Sequence, residues 1–267
     1  MSIVAEQTHD AKEIYDSIAE QYVEFKKAPY RTAVEHYTFF NCMLLKNELG
    51  LGKDARILDL ACGDGHYTRK LRSQFPECAY LSGLDISSTM IDIAKARENE
   101  NKLGIDYVCA DGKDLPAPEQ PYDIITAIYY LNYAQTRVDL RAMVMGIFDQ
   151  LKQGGTFYSM NENVCSRKEG YNNPMHKKYT FYRESTESTL QEGGPIKYTY
   201  YWNPQTPSSC VFYNYYFSPS TYEELFKECG FSSFEWVPVQ CNPKIDNVVF
   251  FDDLISLPHI IGIIAKK

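Results

Sequence analysis

The sequence predicts an α/β protein built on a doubly wound parallel sheet, and three observations carry that expectation. Strand-like and helix-like runs alternate from residue 56 to residue 160, the pattern of successive βαβ units. The run Arg56-Ile57-Leu58-Asp59-Leu60-Ala61 is apolar on both faces, Leu58 and Leu60 on one and Ile57 and Ala61 on the other, as a strand covered on both sides requires. It leads straight into Cys62-Gly63-Asp64-Gly65-His66-Tyr67, a glycine-rich turn that opens a helix. Gly63 and Gly65 let backbone approach a ligand where any Cβ would collide.

The elements follow in order. Asp10 to Phe25 and Arg31 to Leu49 carry apolar residues at helical spacing, broken at Pro29. After the first strand come a helix from Tyr67 to about Gln74, a strand ending Leu84-Asp85, a helix from about Ser88, a short strand Ile105 to Cys109, and a strand Tyr122 to Tyr129. A helix from Thr136 to Leu151 is expected to stop at Gly154-Gly155, with a fifth strand through Phe157 to Met160. Three aromatic runs, Tyr179 to Tyr182, Ile196 to Trp202 and Cys210 to Phe217, then read as an inserted antiparallel cap. A helix capped by Ser218, with Pro219 in its first turn and Gly230 closing it, and strands at Phe234 to Val237 and Ile260 to Ala265 return to the core.

Composition narrows the function. A net charge of −8 and pI near 5.2 argue against nucleic acid or an anionic membrane as partner and favour a small-molecule substrate. The eight cysteines form no C-x-x-C and read as reduced core residues; with five histidines they offer no metal-ligand spacing, so no metal site is expected. Neither a signal peptide nor a membrane span is expected from the ends of the chain, and a cytoplasmic enzyme follows.

The glycine loop selects among nucleotide cofactors. A dinucleotide fingerprint G-x-G-x-x-G places glycine third to allow close helix packing under a pyrophosphate, and Thr68 stands there instead. A cofactor with adenosine and no phosphates fits better. Asp85, at the end of the second strand, is placed to accept hydrogen bonds from ribose hydroxyls, with a helix N-cap before Ser87 and Ser88 as the plainer alternative. Asp111 follows the third strand, where a carboxylate can accept from an adenine amino group or merely shape the turn before Gly112. Asp59 is expected to steady the loop from beneath through its backbone N–H groups, and Asp123 is left out of the site.

Taken in order, Leu58 to Gly65, Leu84 to Met90, Ala110-Asp111-Gly112 and Tyr122 to Ala127 resemble the successive motifs of class I S-adenosylmethionine-dependent methyltransferases. Tyr15 to Tyr22 is similar to the lead-in helix of members acting on small molecules. Leu131-Asn132-Tyr133-Ala134 with Leu151 to Gly155 resembles a subgroup containing the toxoflavin N-methyltransferases, Gln153 replacing the usual proline. The resemblance implies a Rossmann-like doubly wound seven-stranded sheet whose last strand is antiparallel, with N-terminal helices and an inserted β cap. The corresponding division is 1–50 helical, 51–162 with 217–267 core, and 163–216 cap.

The implied activity is methyl transfer from S-adenosylmethionine to a nitrogen, sulfur or oxygen nucleophile of a small molecule, leaving S-adenosylhomocysteine, by a monomer or homodimer. The resemblance places Tyr22 and Arg31 by the methionine part of the cofactor. It fills the rest of that site with Ala61, Cys62, Gly63, Gly65, Asp85, Ile86, Met90, Ala110, Asp111, Gly112 and Ile128. Substrate contacts are expected from Tyr129, Asn132, Tyr133 and Asn161, beyond the fourth and fifth strands, and from cap aromatics such as Trp202 and Tyr216. An amine or sulfur acceptor needs alignment only, whereas a hydroxyl or carbon acid needs a base. Candidates for catalytic roles are His66, Asn132 and Tyr133, with His176 as a second histidine, while His36 reads as a packing residue. Two other classes stay open: an NAD-linked oxidoreductase, disfavoured by Thr68 and the want of a Tyr-x-x-x-Lys pair, and a non-catalytic partner protein of the same fold. Tyr129-Tyr130-Leu131-Asn132, where base and glutamine methylases carry Asn/Asp-Pro-Pro-Tyr, disfavours a macromolecular acceptor.

Overall fold

Seven strands form one sheet in the order β3-β2-β1-β4-β5-β10-β9, and three more form a separate antiparallel sheet, β6-β7-β8. The structure is a computed structural model describing residues 10–48, 50–185, 190–201 and 209–267. The core strands are β1 (Arg56–Leu60), β2 (Tyr80–Asp85), β3 (Asp106–Cys109), β4 (Tyr122–Ile128), β5 (Leu151–Glu162), β9 (Ser233–Val237) and β10 (Ile260–Lys266). β1 to β5 run parallel, and β10 enters antiparallel between β5 and β9, Ile263 pairing with Ser159 and Trp236. The strand order turns between β1 and β4, so the crevice above their carboxyl ends is where such a fold takes ligands.

Both faces of the sheet are covered, as the apolar β1 run requires. Leu58 and Leu60 join the cluster under α5 (Arg137–Gln150) and α6 (Pro219–Glu228); Ile57 joins the opposite cluster, under α3 (His66–Gln74), α4 (Ser88–Glu100) and the N-terminal helices. Helix starts follow their caps. Thr136 and Asp139 form a reciprocal capping box on α5, Ser218 accepts from Thr221 N–H on α6, and Ser87 accepts from Met90 N–H on α4.

Three expectations change. Helix α1 (Ala11–Phe25) forms as read, but α2 (Arg31–Leu44) is wound as a π-helix, Leu45 N–H closing on the Phe40 carbonyl, and one α-turn, Leu45–Asn47, extends it. Such widened winding is rare and recurs at functional sites. Gly154-Gly155 lies inside β5 rather than ahead of it. The strand begins at Leu151 directly off α5, with an irregular register where Tyr122 pairs Leu151 and Ile124 pairs Thr156, and a Cβ at Gly155 would press on the Asp123 carbonyl at 3.0 Å. Of the eight thiols, all free, Cys109 and Cys165 are exposed rather than in the core, Cys109 because β3 is an edge strand.

The cap strands are β6 (Phe181–Ser185), β7 (Gly194–Tyr201) and β8 (Ser209–Tyr216). One face, with Tyr198, Tyr200 and Phe212 stacked, packs on α1 and α2, where Phe25 meets Tyr200 at 3.8 Å between ring centroids. Buried charge ties the cap to the core. Arg183 of β6, fully buried, donates to Glu162 Oε1 at 2.6 Å, to the Gly170 carbonyl at 2.8 Å and to Ser166 Oγ at 2.9 Å, and the Tyr198 hydroxyl donates to the other Glu162 oxygen. Among the described residues no helix is long and apolar enough to cross a membrane.

Candidate active site

Two adjoining spaces open over the carboxyl ends of β1, β2 and β4, and α1 lies across them. The inner chamber, about 60 Å³, is walled by Tyr22, Arg31, Ala61, Cys62, Gly63, Asp85, Met90, Ile128 and Tyr129, all named from the sequence. The outer cleft, about 510 Å³, carries Ile86, Ala110, Asp111, Gly112 and Tyr133. Ala61, Asp85 and Tyr15 border both, so one ligand can run from cleft to chamber past Asp85. Tyr15 forms the partition on the α1 side, its hydroxyl 2.6 Å from that of Tyr133.

The floor is the β1 loop. Ala61 and Gly63 both hold positive φ, +53° and +54°, which turns the backbone under the chamber. Asp85 braces that turn: its Oδ2 accepts Gly63 N–H at 2.8 Å and its Oδ1 accepts Ser87 N–H at 2.9 Å. Asp85 is therefore not the cap of α4, which is Ser87; it braces the turn ahead of that helix, and each of its oxygens keeps a lone pair. Burial raises the Asp85 carboxyl, opposed by the two N–H donors. Asp59 differs from expectation. It accepts the Thr68 and Thr126 hydroxyls, each at 2.7 Å, instead of loop N–H groups, and burial lifts it to about 6 against those bonds. Thr68, in the position of the third glycine, thus anchors α3 to β1.

Lys26, absent from the sequence reading, lines the chamber, and further charges stand behind its wall. Lys26, at the end of α1, meets Asp64 of the loop at 2.5 Å, and Arg97 of α4 pairs with the other Asp64 oxygen; the two cations outweigh burial and hold that carboxyl well below its usual range. Arg31, only 2% exposed, gives both Glu35 oxygens its Nη1, at 3.0 and 3.2 Å, while its Nε and Nη2 have no partner among the described residues. That edge is one of the two with which a guanidinium grips a carboxylate bidentately. The signal for Glu35 was present: a charge opposite to that of Arg31, four residues on and inside the largely apolar run Ala33 to Phe40.

Other expected residues lie elsewhere. Gly65, at φ +75°, caps α3 and faces the Tyr107 hydroxyl, not the chamber. His66 turns to His36, 3.2 Å between ring nitrogens, and burial with Lys26 nearby lowers it to about 3. His36 is thus a partner for His66 as well as a packing residue. His176 is buried under the cap, its Nε2 3.3 Å from the Leu257 carbonyl. Asn132 and Asn161 line neither space. Asn132 N–H donates to Asn161 Oδ1 at 3.2 Å, its amide to Asn214 Oδ1 of β8 at 2.9 Å, and Asn161 donates to the Tyr222 hydroxyl at 3.2 Å, a latch between the ends of β4 and β5, the cap and α6. Tyr216 is half-buried against both core clusters, and Trp202 lies outside the described residues.

Known proteins share parts of this sequence and its fold. A methyltransferase domain family matches residues 57–155, from β1 into β5. The ubiquinone biosynthesis O-methyltransferase of Coxiella burnetii is 31% identical over 113 residues, 42% of this chain and 46% of that protein, so the chain spans about half the length of that relative. The demethylmenaquinone methyltransferase of Lactococcus lactis is 28% identical over 184 residues, 67% of each chain. Among solved structures, an S-adenosylmethionine-dependent methyltransferase from Clostridium acetobutylicum shares the fold over 92% of this chain and 98% of its own, with TM-score 0.63 and 19% identity. The CcbJ methyltransferase of Streptomyces caelestis does so over 95% and 96%, with TM-score 0.60 and 14% identity. Residues 57–155 thus match a methyltransferase domain, and the whole chain shares its strand order and fold with S-adenosylmethionine-dependent methyltransferases.

Proposed function

We propose that the chain transfers the methyl group of S-adenosylmethionine to a small-molecule acceptor. The observation that carries this is the unpaired Nε–Nη2 edge of Arg31, buried in the wall of a chamber that adjoins Asp85. An α-carboxylate satisfies that edge, whereas an unfilled pair of buried N–H donors is costly. In this reading Asp111, with Ala110, Gly112 and Ile86, receives the adenine in the outer cleft, Asp85 takes the ribose hydroxyls, and Tyr22 and Arg31 hold the methionyl end over Ala61, Cys62 and Gly63. Bound there, the cofactor supplies an electrophilic methyl carbon. The acceptor lone pair forms the new bond in line as the carbon–sulfur bond breaks and its electrons return to sulfur, leaving S-adenosylhomocysteine.

The acceptor meets that carbon near Tyr15, Ile128 and Tyr129. The Tyr15, Tyr67 and Tyr129 hydroxyls are all pushed far up, first by burial, and Lys26 is held protonated by Asp64, so these side chains align an acceptor rather than deprotonate it. This favours a nitrogen or sulfur nucleophile over an unactivated alcohol. The narrower likeness to toxoflavin N-methyltransferases rests on Leu131 to Ala134 and Leu151 to Gly155 alone. The test is calorimetry with S-adenosylhomocysteine, followed by a metabolite screen monitoring its release. Saturable binding that Arg31→Met weakens supports the reading, and a protein that binds neither cofactor nor product refutes it.

A further inference from the structure

Glu35 needs an explanation that stability does not give. It is fully buried on α2, and its carboxylate collects four hydrogen bonds: two from Arg31 Nη1, one from the Tyr67 hydroxyl at 2.5 Å onto Oε1, and one from the Tyr129 hydroxyl onto Oε2. A buried ion pair is often no more stabilising than apolar residues of the same volume, so three side chains converging on one carboxylate point to another purpose. Two features show what the carboxylate arranges. It engages Arg31 through Nη1 alone, which leaves the Nε–Nη2 edge unpaired in a side chain that lines the inner chamber. It also fixes the hydroxyl of Tyr129, whose backbone sits at φ +59° at the end of β4 and whose ring lies 5.3 Å from the Arg31 guanidinium carbon. A left-handed backbone at a tyrosine persists only where surrounding contacts over-determine it.

We propose that Glu35 is a positioning residue: it orients Arg31 toward the amino-acid end of the cofactor and holds Tyr129 against the chamber wall. The inference rests on reading that chamber as the methionyl site. Arg31 carries several rotatable bonds, and a guanidinium held in place beforehand loses less freedom when it grips a carboxylate. The α2 winding contributes by packing both Arg31 and Glu35 inward among Tyr22, Phe25 and Tyr67.

The choice of variant matters. Glu35→Gln removes the anchor and also a negative charge near the ligand carboxylate, and those effects oppose each other. Glu35→Asp keeps the charge and withdraws it by one methylene, which isolates position. Calorimetry is run with S-adenosylhomocysteine and with 5′-methylthioadenosine, which has the same nucleoside and sulfur but no amino-acid group. Glu35→Asp is expected to weaken S-adenosylhomocysteine about tenfold, roughly the entropy of one long side chain, and to leave 5′-methylthioadenosine within about twofold. Tyr129→Phe, which keeps the ring and removes one of the four bonds, is the milder variant that keeps the test open if Glu35→Asp does not fold; it is expected to show the same selective loss at about threefold. Unchanged affinity for both ligands, or an equal loss for both, overturns the proposal, the latter by showing a merely structural role. Wild-type protein that binds both ligands equally well overturns the assignment of the chamber itself, and that failure is seen before any variant is made.

Discussion

Replacing Asp85 by asparagine changes one atom in the junction between cleft and chamber, and its consequences can be worked out from the hydrogen bonds on either side. The carboxylate accepts Gly63 N–H on one oxygen and Ser87 N–H on the other. An amide has one accepting end, so whichever way it turns, its NH₂ group faces one of those donors. The stranded N–H lies at a side chain only 9% exposed and should cost about 1–3 kcal/mol of folding stability. For a chain of this size that lowers Tm by about 2–4 °C per kcal/mol. On the ligand side, the lost charge-assisted bond to a ribose hydroxyl is worth about 1.5–3 kcal/mol, or roughly ten- to a hundredfold in Kd. Calorimetry with S-adenosylhomocysteine at a temperature where both proteins are folded reads the second quantity. Repeating it with 5′-methylthioadenosine and its 2′-deoxy counterpart separates the two effects: the wild type should discriminate between them and the variant should not. Asparagine protein that binds within about threefold of wild type, or that keeps its preference for the ribose, refutes the assignment of Asp85.

Other perturbations follow from the same contacts. Arg183→Leu takes the ion-pair partner from the buried Glu162, leaving the Tyr198 hydroxyl and the Asn214 amide as its donors among the described residues, and should cost about 3–5 kcal/mol in urea unfolding; a loss under 1 kcal/mol would contradict a buried ion pair at the root of the cap. Gly65→Ala forces a Cβ against the Tyr107 ring at a left-handed backbone position, so its melting temperature should fall while ligand affinity of the folded fraction changes little. A large affinity loss with an unchanged melting temperature would return Gly65 to the ligand site. Burial lowers His36 and His176 to about 4 and His66 to about 3, and His259 also falls below its ordinary value. Between pH 6.5 and about 4 these four rings bind protons in the unfolded chain and not in the folded one, which outweighs the opposite contributions of Asp59, below about 6, and of Asp85, so stability declines as pH drops through that window. Denaturation midpoints that stay level from pH 7.5 to pH 5 would contradict the burial of these rings.

The parts of this protein that the sequence determined are those governed by local rules. The β1 run, apolar on both faces, requires a covered parallel strand, the glycines after it require a turn no other residue adopts as cheaply, and Thr136, Ser218 and Ser87 cap helices with their own side chains. Because ligands of such folds sit at strand ends, Gly63, Asp85 and Asp111 were expected in one region from the loop and the strand ends, and the resemblance added Ile128; the structure sets Gly63, Asp85 and Ile128 around the chamber and Asp111 in the adjoining cleft. The tertiary structure decided which polar groups meet across elements. Glu35 reaches the chamber only through its wall, because α2 packs it beside Arg31 and against Tyr67 and Tyr129, residues 32 and 94 positions away. Lys26 belongs there because α1 ends above Asp64. His66 leaves it because His36 offers a ring at 3.2 Å, and Asn132 and Asn161 leave it because the cap presents Asn214 and α6 presents Tyr222. A side chain's local propensity says what it can donate or accept; which partner it finds depends on where the chain returns, and hydrogen bonds made across that distance leave no periodicity in the sequence.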